Sequence, residues 1–246
     1  MNYVVSDIHG DRESFLSILK QIDLRESDTL HILGDVLDGG EHGVEILQMI
    51  MGMPNVRCLL GNHELLCLNA MIPHREELPW TRNDPDWDLL AWLHAGGRVT
   101  LKAMQAAGTA AVDEMLRYLQ ALPVQYDVEV KGRRFRLVHA SPMELFPEDG
   151  SSGFCDAVNY AVWNRRPELS RLSDDCTLVF GHTPTALLRG RPELRIWHGP
   201  RAIGLDCGCG SDAGAWPPDR GRLACLRLDD MKEYYSDDIC DGAPPV

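Results

Sequence analysis

The sequence predicts an α/β protein that begins with a parallel β-sheet. Short apolar runs at Tyr3-Val4-Val5, Leu30 to Leu33 and Val56 to Leu60 have the length and composition of buried strands. Between them, Asp11 to Ile22 and Val44 to Met51 place apolar residues at helical spacing. This alternating order of strands and helices predicts parallel strands joined by right-handed crossover connections.

The segment after the third strand has a different character. Residues 64–122 contain a helical pattern from Val112 to Leu122 and turn-forming residues at Asn83-Asp84-Pro85 and Gly96-Gly97. We predict a mostly helical insertion here, followed by further strands, the first two joined by a hairpin at Lys131-Gly132-Arg133. The later predicted strands are Val124 to Val130, Arg134 to Val138, Thr177 to Phe180, Ala202 to Leu205, Leu223 to Leu228 and Glu233 to Tyr235.

Composition limits the classes of protein that this chain can represent. It has 246 residues and a formal net charge of −13, which disfavours binding to nucleic acid or to a membrane surface. We expect one domain over residues 1–236 and a flexible tail at 237–246. No basic and apolar leader is recognisable, so we expect a cytoplasmic protein whose eight cysteines are reduced.

Residues that can bind metal ions follow five of the predicted strands. Asp7 and His9 come after the first strand, and Asp35 and Asp38 come after the second. The later ones are Asn62 with His63 and Glu64, then His139, then His182. Ligands in open α/β sheets bind outside the carboxyl ends of the strands, so these distant side chains are expected to converge.

The residue types in this set suit a pair of divalent metal ions. Carboxylates and imidazoles together bind manganese, iron and zinc. One carboxylate can bridge two ions, and two ions about 3.5–4 Å apart can orient a phosphoryl group and neutralise its charge. Because positioning and charge stabilisation dominate phosphoryl transfer, the joint pattern indicates a phosphoesterase. Any one of these residues alone would more often be structural.

The ordered motifs resemble those of the phosphoprotein phosphatase family within the calcineurin-like metallophosphoesterases, and the small bacteriophage lambda type most of all. The motifs are Asp7-Ile8-His9-Gly10, Gly34-Asp35-Val36-Leu37-Asp38, Gly61-Asn62-His63-Glu64, His139, Gly181-His182-Thr183-Pro184, Trp163-Asn164-Arg165 and the segment from Trp92 to Gly97. The resemblance implies the metallophosphoesterase fold, in which two packed mixed β-sheets are flanked by helices (an αββα sandwich). It also implies an enzyme that hydrolyses phosphomonoesters, with Ser/Thr phosphoproteins as the leading substrates.

The resemblance further implies a role for each motif residue. The implied metal ligands are Asp7 and His9 at a first ion, the bridging Asp35, and Asn62, His139 and His182 at a second. His63, oriented by Asp38, would protonate the leaving oxygen. Arg165 and Asn62 would bind the phosphate. The implied cofactor is a pair of divalent ions, manganese first, with iron, zinc and nickel as alternatives, and the implied nucleophile is a metal-bound hydroxide.

One departure from the family pattern concerns the phosphate. The family usually has arginine directly after the second aspartate of the Gly-Asp-x-x-Asp motif, whereas this chain has Gly39-Gly40. Another cation, with Arg201 and Arg98 as candidates, could replace that arginine. Alternatively, phosphate binds less tightly or the substrate is not the family's usual phosphomonoester.

Because the family's arginine is missing after Asp38, two other functions remain as alternatives. A hydrolase of dinucleoside polyphosphates or other nucleotide phosphoesters would share the same ligands. A catalytically weak module that senses phosphate or metal is the third hypothesis, motivated by Gly39. The spacing of Cys207 and Cys209 matches no common zinc or redox motif, and we expect incidental thiols there.

Overall fold

The computed structural model describes residues 1–72, 86–147, 149–173, 175–210 and 221–237. The strands within these residues are β1 (Asn2–Val5), β2 (Thr29–Ile32), β3 (Val56–Cys58), β4 (Gln125–Val130), β5 (Arg133–Val138), β6 (Cys176–Phe180), β7 (Trp197–Gly199), β8 (Ala202–Gly204), β9 (Ala224–Arg227) and β10 (Lys232–Tyr235). The α-helices within them are α1 (Arg12–Ile22), α2 (Gly43–Met51), α3 (Asn62–Met71), α4 (Trp87–Trp92), α5 (Arg98–Ala107), α6 (Thr109–Gln120), α7 (Ala157–Trp163) and α8 (Thr185–Arg189).

The first sheet has the strand order β10-β9-β1-β2-β3. Strands β1, β2 and β3 are parallel and are connected through α1 and α2, which confirms the predicted alternating unit. Strands β9 and β10 return from late in the chain, and β9 extends the sheet antiparallel to β1. Strand β3 ends at Cys58 rather than at the predicted Leu60.

The second sheet has the strand order β4-β5-β6-β8-β7. Strands β4 and β5 form the predicted hairpin, and its turn residues Lys131 and Gly132 have φ values of 52° and 75°. Strands β5, β6 and β8 are parallel. Strand β7, which was not predicted, pairs antiparallel with β8 at the edge of the sheet.

The two sheets pack face to face, with helices on their outer sides. Alternation along β1 illustrates the arrangement, because Val4 lies in the core between the sheets while Tyr3 and Val5 lie in the core beneath the helices. The core between the sheets includes Val4, Leu33, Leu59, Phe135, Leu137, Val179, Ile203 and Leu226. The predicted αββα sandwich is therefore confirmed.

The predicted insertion is helical where the structure describes it. Helix α6 (Thr109–Gln120) starts before the predicted Val112. The turn-forming residues predicted at Gly96-Gly97 coincide with a break between α4 and α5, at Leu93–Gly97, where Gly96 has a non-helical φ of 106°. The predicted loop at Asn83-Asp84-Pro85 lies outside the described residues.

The short helices α7 and α8 were not predicted. They have seven and five residues, too few to show a helical period in the sequence. Residues 238–246 of the predicted tail lie outside the described residues. In the described part of the chain, no helix combines the length and apolarity needed to cross a membrane.

His31 is a buried histidine in the middle of β2, away from the strand ends. Its Nδ1 lies 2.8 Å from the Tyr126 hydroxyl and its Nε2 lies 3.3 Å from Asn2 Oδ1. Burial, together with the positive charge of Arg57, lowers the pKa of His31 from 6.5 to about 4. Between pH 6.5 and about pH 4, His31 is protonated in the unfolded chain but neutral in the folded chain. The free energy of unfolding therefore falls as the pH drops through this range.

Replacing His31 by glutamine is expected to reduce the acid sensitivity of the fold. Between about pH 7 and about pH 4.5, the free energy of unfolding of the wild type should fall by about 2–3 kcal/mol more than that of His31→Gln. Urea unfolding at both pH values measures this difference. His198→Gln, on the surface beside Glu233, is the control and should behave like the wild type. Equal losses in the wild type and His31→Gln would contradict the prediction.

Candidate active site

The predicted ligands meet at the edge formed by the carboxyl ends of the parallel strands. In the first sheet, Asp7, Asp35 and Asn62 follow β1, β2 and β3. In the second sheet, His139 follows β5 and His182 follows β6. Because the two sheets are stacked, these ends adjoin, and side chains more than one hundred residues apart come into contact.

The backbone at this edge is held in an uncommon conformation. Asp7, His9, Asp35, Asp38 and His182 have φ values between 46° and 67°. Non-glycine residues rarely occupy this left-handed region, and each instance costs of order 1–3 kcal/mol. Strain of this kind persists where surrounding contacts enforce it, and here it coincides with the predicted site residues.

Asp35 lies at the centre of the cluster. Its Oδ2 atom is 3.7 Å from His9 Nε2, 3.5 Å from His139 Nε2 and 4.0 Å from His63 Nε2. Two groups of potential ligands share this carboxylate, namely His9 with Asp35 and His63, and Asp35 with His139 and His182, and within each group the ligand atoms lie within 4.8 Å of one another. One carboxylate between two clusters is the arrangement that a bridging ligand requires.

The hydrogen bonds of two histidines leave one ring nitrogen of each available to a cation. His139 Nδ1 lies 2.8 Å from the Leu33 carbonyl oxygen, so it carries the proton and Nε2 has a lone pair. That Nε2 is 2.9 Å from Asn62 Oδ1, a contact that a positive ion shared between the two atoms would satisfy. His182 Nε2 lies 3.2 Å from the Trp163 carbonyl oxygen, which leaves its Nδ1 available.

Buried negative charge also fits the binding of cations. Burial raises the pKa of Asp7 to about 6, with Asp35 adding to the shift and His139 opposing it. Burial raises the pKa of Asp206 to about 7, and the neighbouring Asp7 adds to it. At Asp35 burial acts in the same direction, but the surrounding imidazoles hold its pKa well below the usual range. Divalent ions bound here would stabilise the charged carboxylates.

His63 and Asp38 form the predicted pair. His63 Nδ1 lies 2.8 Å from Asp38 Oδ2, and Asp38 is fully buried. Burial of the imidazole disfavours its charged form, but the Asp35 and Asp38 carboxylates outweigh burial and raise the pKa of His63 to about 9. The first group of potential ligands contains His63 together with His9 and Asp35. The resemblance had instead implied Asp7 as the ligand that accompanies His9. Because Asp38 binds Nδ1, the other ring nitrogen, Nε2, remains available to donate a proton. The role of His63 as proton donor therefore stays a prediction.

Two buried acids at the site, Glu64 and Asp206, were not assigned a ligand or catalytic role from the sequence. The Glu64 carboxylate accepts hydrogen bonds from the backbone N–H groups of Asp35 and Val36, at 2.7 and 2.9 Å, and also from those of Leu37 and Gly61. It therefore fixes the turn that carries Asp35. Asp206 follows β8 as the predicted ligands follow their strands, so the same sequence rule could have identified it.

The two candidate replacements for the missing arginine differ in position. Arg201 precedes β8 and donates hydrogen bonds to the carbonyl oxygens of Leu172 and Leu169, at 3.2 and 3.0 Å, so it lies at the edge opposite the site. The prediction that Arg201 could replace the missing arginine was therefore wrong. Arg98 is exposed at the start of α5, directly after the turn whose Gly96 lies against Gly39.

Arg165 lies beside the second group of ligands. Its Nη1 donates a hydrogen bond to the His182 carbonyl oxygen at 2.8 Å, and the residue as a whole is exposed. Cys207 and Cys209 are buried free thiols, and burial raises the pKa of both. In the described residues neither cysteine joins a group of potential metal ligands.

Comparison with known families agrees with this geometry. Residues 3–206 match the family model of calcineurin-like phosphoesterases. The chain therefore belongs to the calcineurin-like phosphoesterase family, and it is a metallophosphoesterase, a hydrolase of a family that uses divalent metal ions.

Relatives within the family are more specific. The chain is 29% identical to a symmetrical bis(5′-nucleosyl)-tetraphosphatase of Serratia proteamaculans, over 98% of this chain and 96% of the relative. It is 28% identical to the enzyme of the same name from Yersinia enterocolitica, over 95% and 90% of the two chains. These names correspond to the nucleotide-directed alternative rather than to the leading Ser/Thr phosphatase prediction.

Solved structures support the fold. A protein provisionally assigned as a diadenosine tetraphosphatase superposes with a TM-score of 0.60 at 19% identity, covering 95% of this chain and 91% of that one. A serine/threonine phosphatase from Saccharomyces cerevisiae gives a TM-score of 0.57 at 11% identity, covering 95% and 78%. At such low identities these likenesses define the architecture and not the substrate.

Proposed function

We propose that this enzyme hydrolyses dinucleoside polyphosphates, splitting the phosphate chain that joins two nucleosides. The observation that carries the proposal is the similarity to symmetrical bis(5′-nucleosyl)-tetraphosphatases over nearly the full length of both chains. Gly39 gives further support. It stands where the family usually has a phosphate-binding arginine, so the site lacks a contact that a phosphomonoesterase of this family would use.

Each of the side chains at the strand ends has its own proposed role in this reaction. The proposed metal ligands are Asp7, His9, Asp35, Asn62, His139 and His182, with manganese as the proposed metal. When bound, two divalent ions supply positive charge to the phosphoryl group and activate water. His63 donates a proton from Nε2 to the leaving oxygen, while Asp38 accepts the Nδ1–H and holds the ring. Arg165 binds phosphate oxygens through its exposed guanidinium.

A phosphomonoesterase of the Ser/Thr type is the second candidate, and the His63–Asp38 pair favours it. Cleavage of an alkyl phosphate expels a strongly basic alkoxide, which needs a proton donor. Cleavage of a phosphoanhydride expels a nucleotide phosphate, which leaves readily without one. A complete proton-donating pair is therefore of greatest use on alkyl phosphates.

A direct competition separates the two candidates. The manganese-loaded enzyme is assayed on a dinucleoside tetraphosphate and on a phosphoserine peptide, with products separated by chromatography. We expect kcat/KM to be higher on the dinucleotide by about tenfold or more, with two equal nucleoside diphosphates as the products. A higher kcat/KM on the phosphopeptide would replace the first candidate by the second.

Replacing Arg165 by alanine is expected to weaken substrate binding. The loss of one charge-assisted contact to phosphate should raise KM by about tenfold, with kcat and metal content little changed. Steady-state kinetics and elemental analysis measure both quantities. Arg166→Ala, at the adjacent exposed position, is the matched control. An unchanged KM in Arg165→Ala would remove this residue from the phosphate site.

A further inference from the structure

The Asp38 carboxylate is held by two side chains that belong to the helical segment between β3 and β4. The Trp92 indole N–H donates to Asp38 Oδ2 at 2.9 Å and lies 3.1 Å from Oδ1. The Thr100 hydroxyl donates to Oδ1 at 2.6 Å and accepts the backbone N–H of Asp38 at 3.0 Å. With His63 on Oδ2, both oxygens of the carboxylate have partners.

Two glycines allow these donors to approach. A Cβ on Gly97 would lie 2.5 Å from Trp92 Nε1, so a larger residue there would displace the indole from Asp38. A Cβ on Gly96 would lie 3.3 Å from the backbone nitrogen of Gly39, and Gly96 has a φ of 106°, which favours glycine. The turn between α4 and α5 is thus shaped to lie against the segment that carries Asp38.

Because the residues in these contacts are buried, the loss of one contact would be costly. Asp38 and Trp92 are fully buried, and Thr100 is 2% exposed. A buried carboxylate that loses a donor keeps its desolvation cost and gains freedom to rotate. Rotation of Asp38 would turn the His63 ring, and with it the Nε2 atom that lies 4.0 Å from the bridging carboxylate of Asp35.

We propose that Trp92 and Thr100 are positioning residues, which hold Asp38 so that His63 is aimed at the leaving oxygen. The helical segment is then part of the proton-donating apparatus as well as a cover for the first sheet. This inference rests on the proposed role of His63, and it does not depend on which phosphate compound is the natural substrate.

The test uses Thr100→Val, which removes the hydroxyl at nearly constant volume, and Thr100→Ser, which restores it. On an alkyl phosphate, Thr100→Val should lower kcat by about tenfold with little change in KM, and Thr100→Ser should stay within about twofold of the wild type. On an aryl phosphate with a good leaving group, Thr100→Val should lose much less. Thr177→Val, at the opposite end of the second sheet in β6, is the control.

The same change made in a His63→Asn background separates positioning from general damage. If Thr100 acts through His63, adding Thr100→Val to His63→Asn should cost little further turnover. Equal losses in both backgrounds, or equal losses on good and poor leaving groups, would overturn the proposal. Trp92→Phe should resemble Thr100→Val, whereas Trp87→Phe, on the exposed face of the same helix, should resemble the wild type.

A spectroscopic measurement is independent of any substrate. In the zinc-loaded protein, the His63 Nδ1 proton should give a downfield NMR signal that His63→Asn removes. Thr100→Val should shift or broaden that signal, and Thr177→Val should leave it in place. An unmoved signal in Thr100→Val would overturn the proposal even if the dinucleotide assay succeeded, and a shifted signal would support it even if that assay failed.

Discussion

Replacing Asp35 by asparagine is expected to cause the largest loss of activity of any single change in this protein. Both groups of potential ligands share the Asp35 carboxylate, and asparagine offers one oxygen without a charge. The variant should bind far less than two metal ions per chain, and turnover should fall by about 1,000-fold or more. Elemental analysis after reconstitution with manganese and assays on an aryl phosphate measure the two effects.

Asp127→Asn is the matched control for this change. Asp127 is a carboxylate on β4 that pairs with Arg134 and Arg136 at the surface, away from the strand ends. It should keep its metal content and its turnover. If Asp35→Asn retained two ions per chain and wild-type turnover, a bridging role for Asp35 would be untenable.

Replacing His63 by asparagine is expected to lower turnover while leaving the metal content nearly intact. General acid catalysis contributes roughly 100-fold to 10,000-fold, so kcat on an alkyl phosphate should fall by about 100-fold or more. The loss should be smaller on a dinucleoside tetraphosphate, whose leaving group is less basic. Asp38 accepts the Nδ1–H of His63, so Asp38→Asn should reproduce part of the same loss.

The control for the histidine variant is His198→Asn, on the surface beside Glu233. Its turnover should equal that of the wild type on every substrate. Loss of metal from His63→Asn would indicate that His63 is a ligand, as its place beside His9 and Asp35 also allows. Full turnover by His63→Asn on an alkyl phosphate would remove its role as proton donor.

The first half of the fold followed from local patterns, because β1 to β3 are short apolar runs separated by helices with a clear period. The convergence of the potential ligands followed from one topological rule, that parallel strands bring their carboxyl ends to one edge. The short elements β7, α7 and α8 could not be predicted, since three to seven residues are too few to show a period. Their conformation depends on packing against the second sheet.

The residues that support the site were harder to predict than its potential ligands. Trp92 and Thr100 contact Asp38 across 54 and 62 residues of chain, and no spacing in the sequence encodes such a contact. Glu64 stands beside Asn62 and His63 in the motif, but its function is to bind backbone N–H groups of a distant turn. These roles become evident only when the buried hydrogen bonds are traced.

The sequence motifs do not determine which phosphate compound is the substrate. The motifs define the chemistry of a phosphoester and are shared by enzymes that act on proteins and on nucleotides. The sequence-based prediction gave first place to the phosphoprotein, while the departure at Gly39 kept the nucleotide alternative open. Similarity over nearly the whole chain then favoured the nucleotide.

The central claim is that two divalent ions bind on either side of Asp35. Anomalous diffraction from crystals of the manganese-loaded protein tests it directly. We predict two peaks about 3.5–4 Å apart, both within bonding distance of the Asp35 carboxylate. A single peak, or peaks remote from Asp35, would contradict the claim.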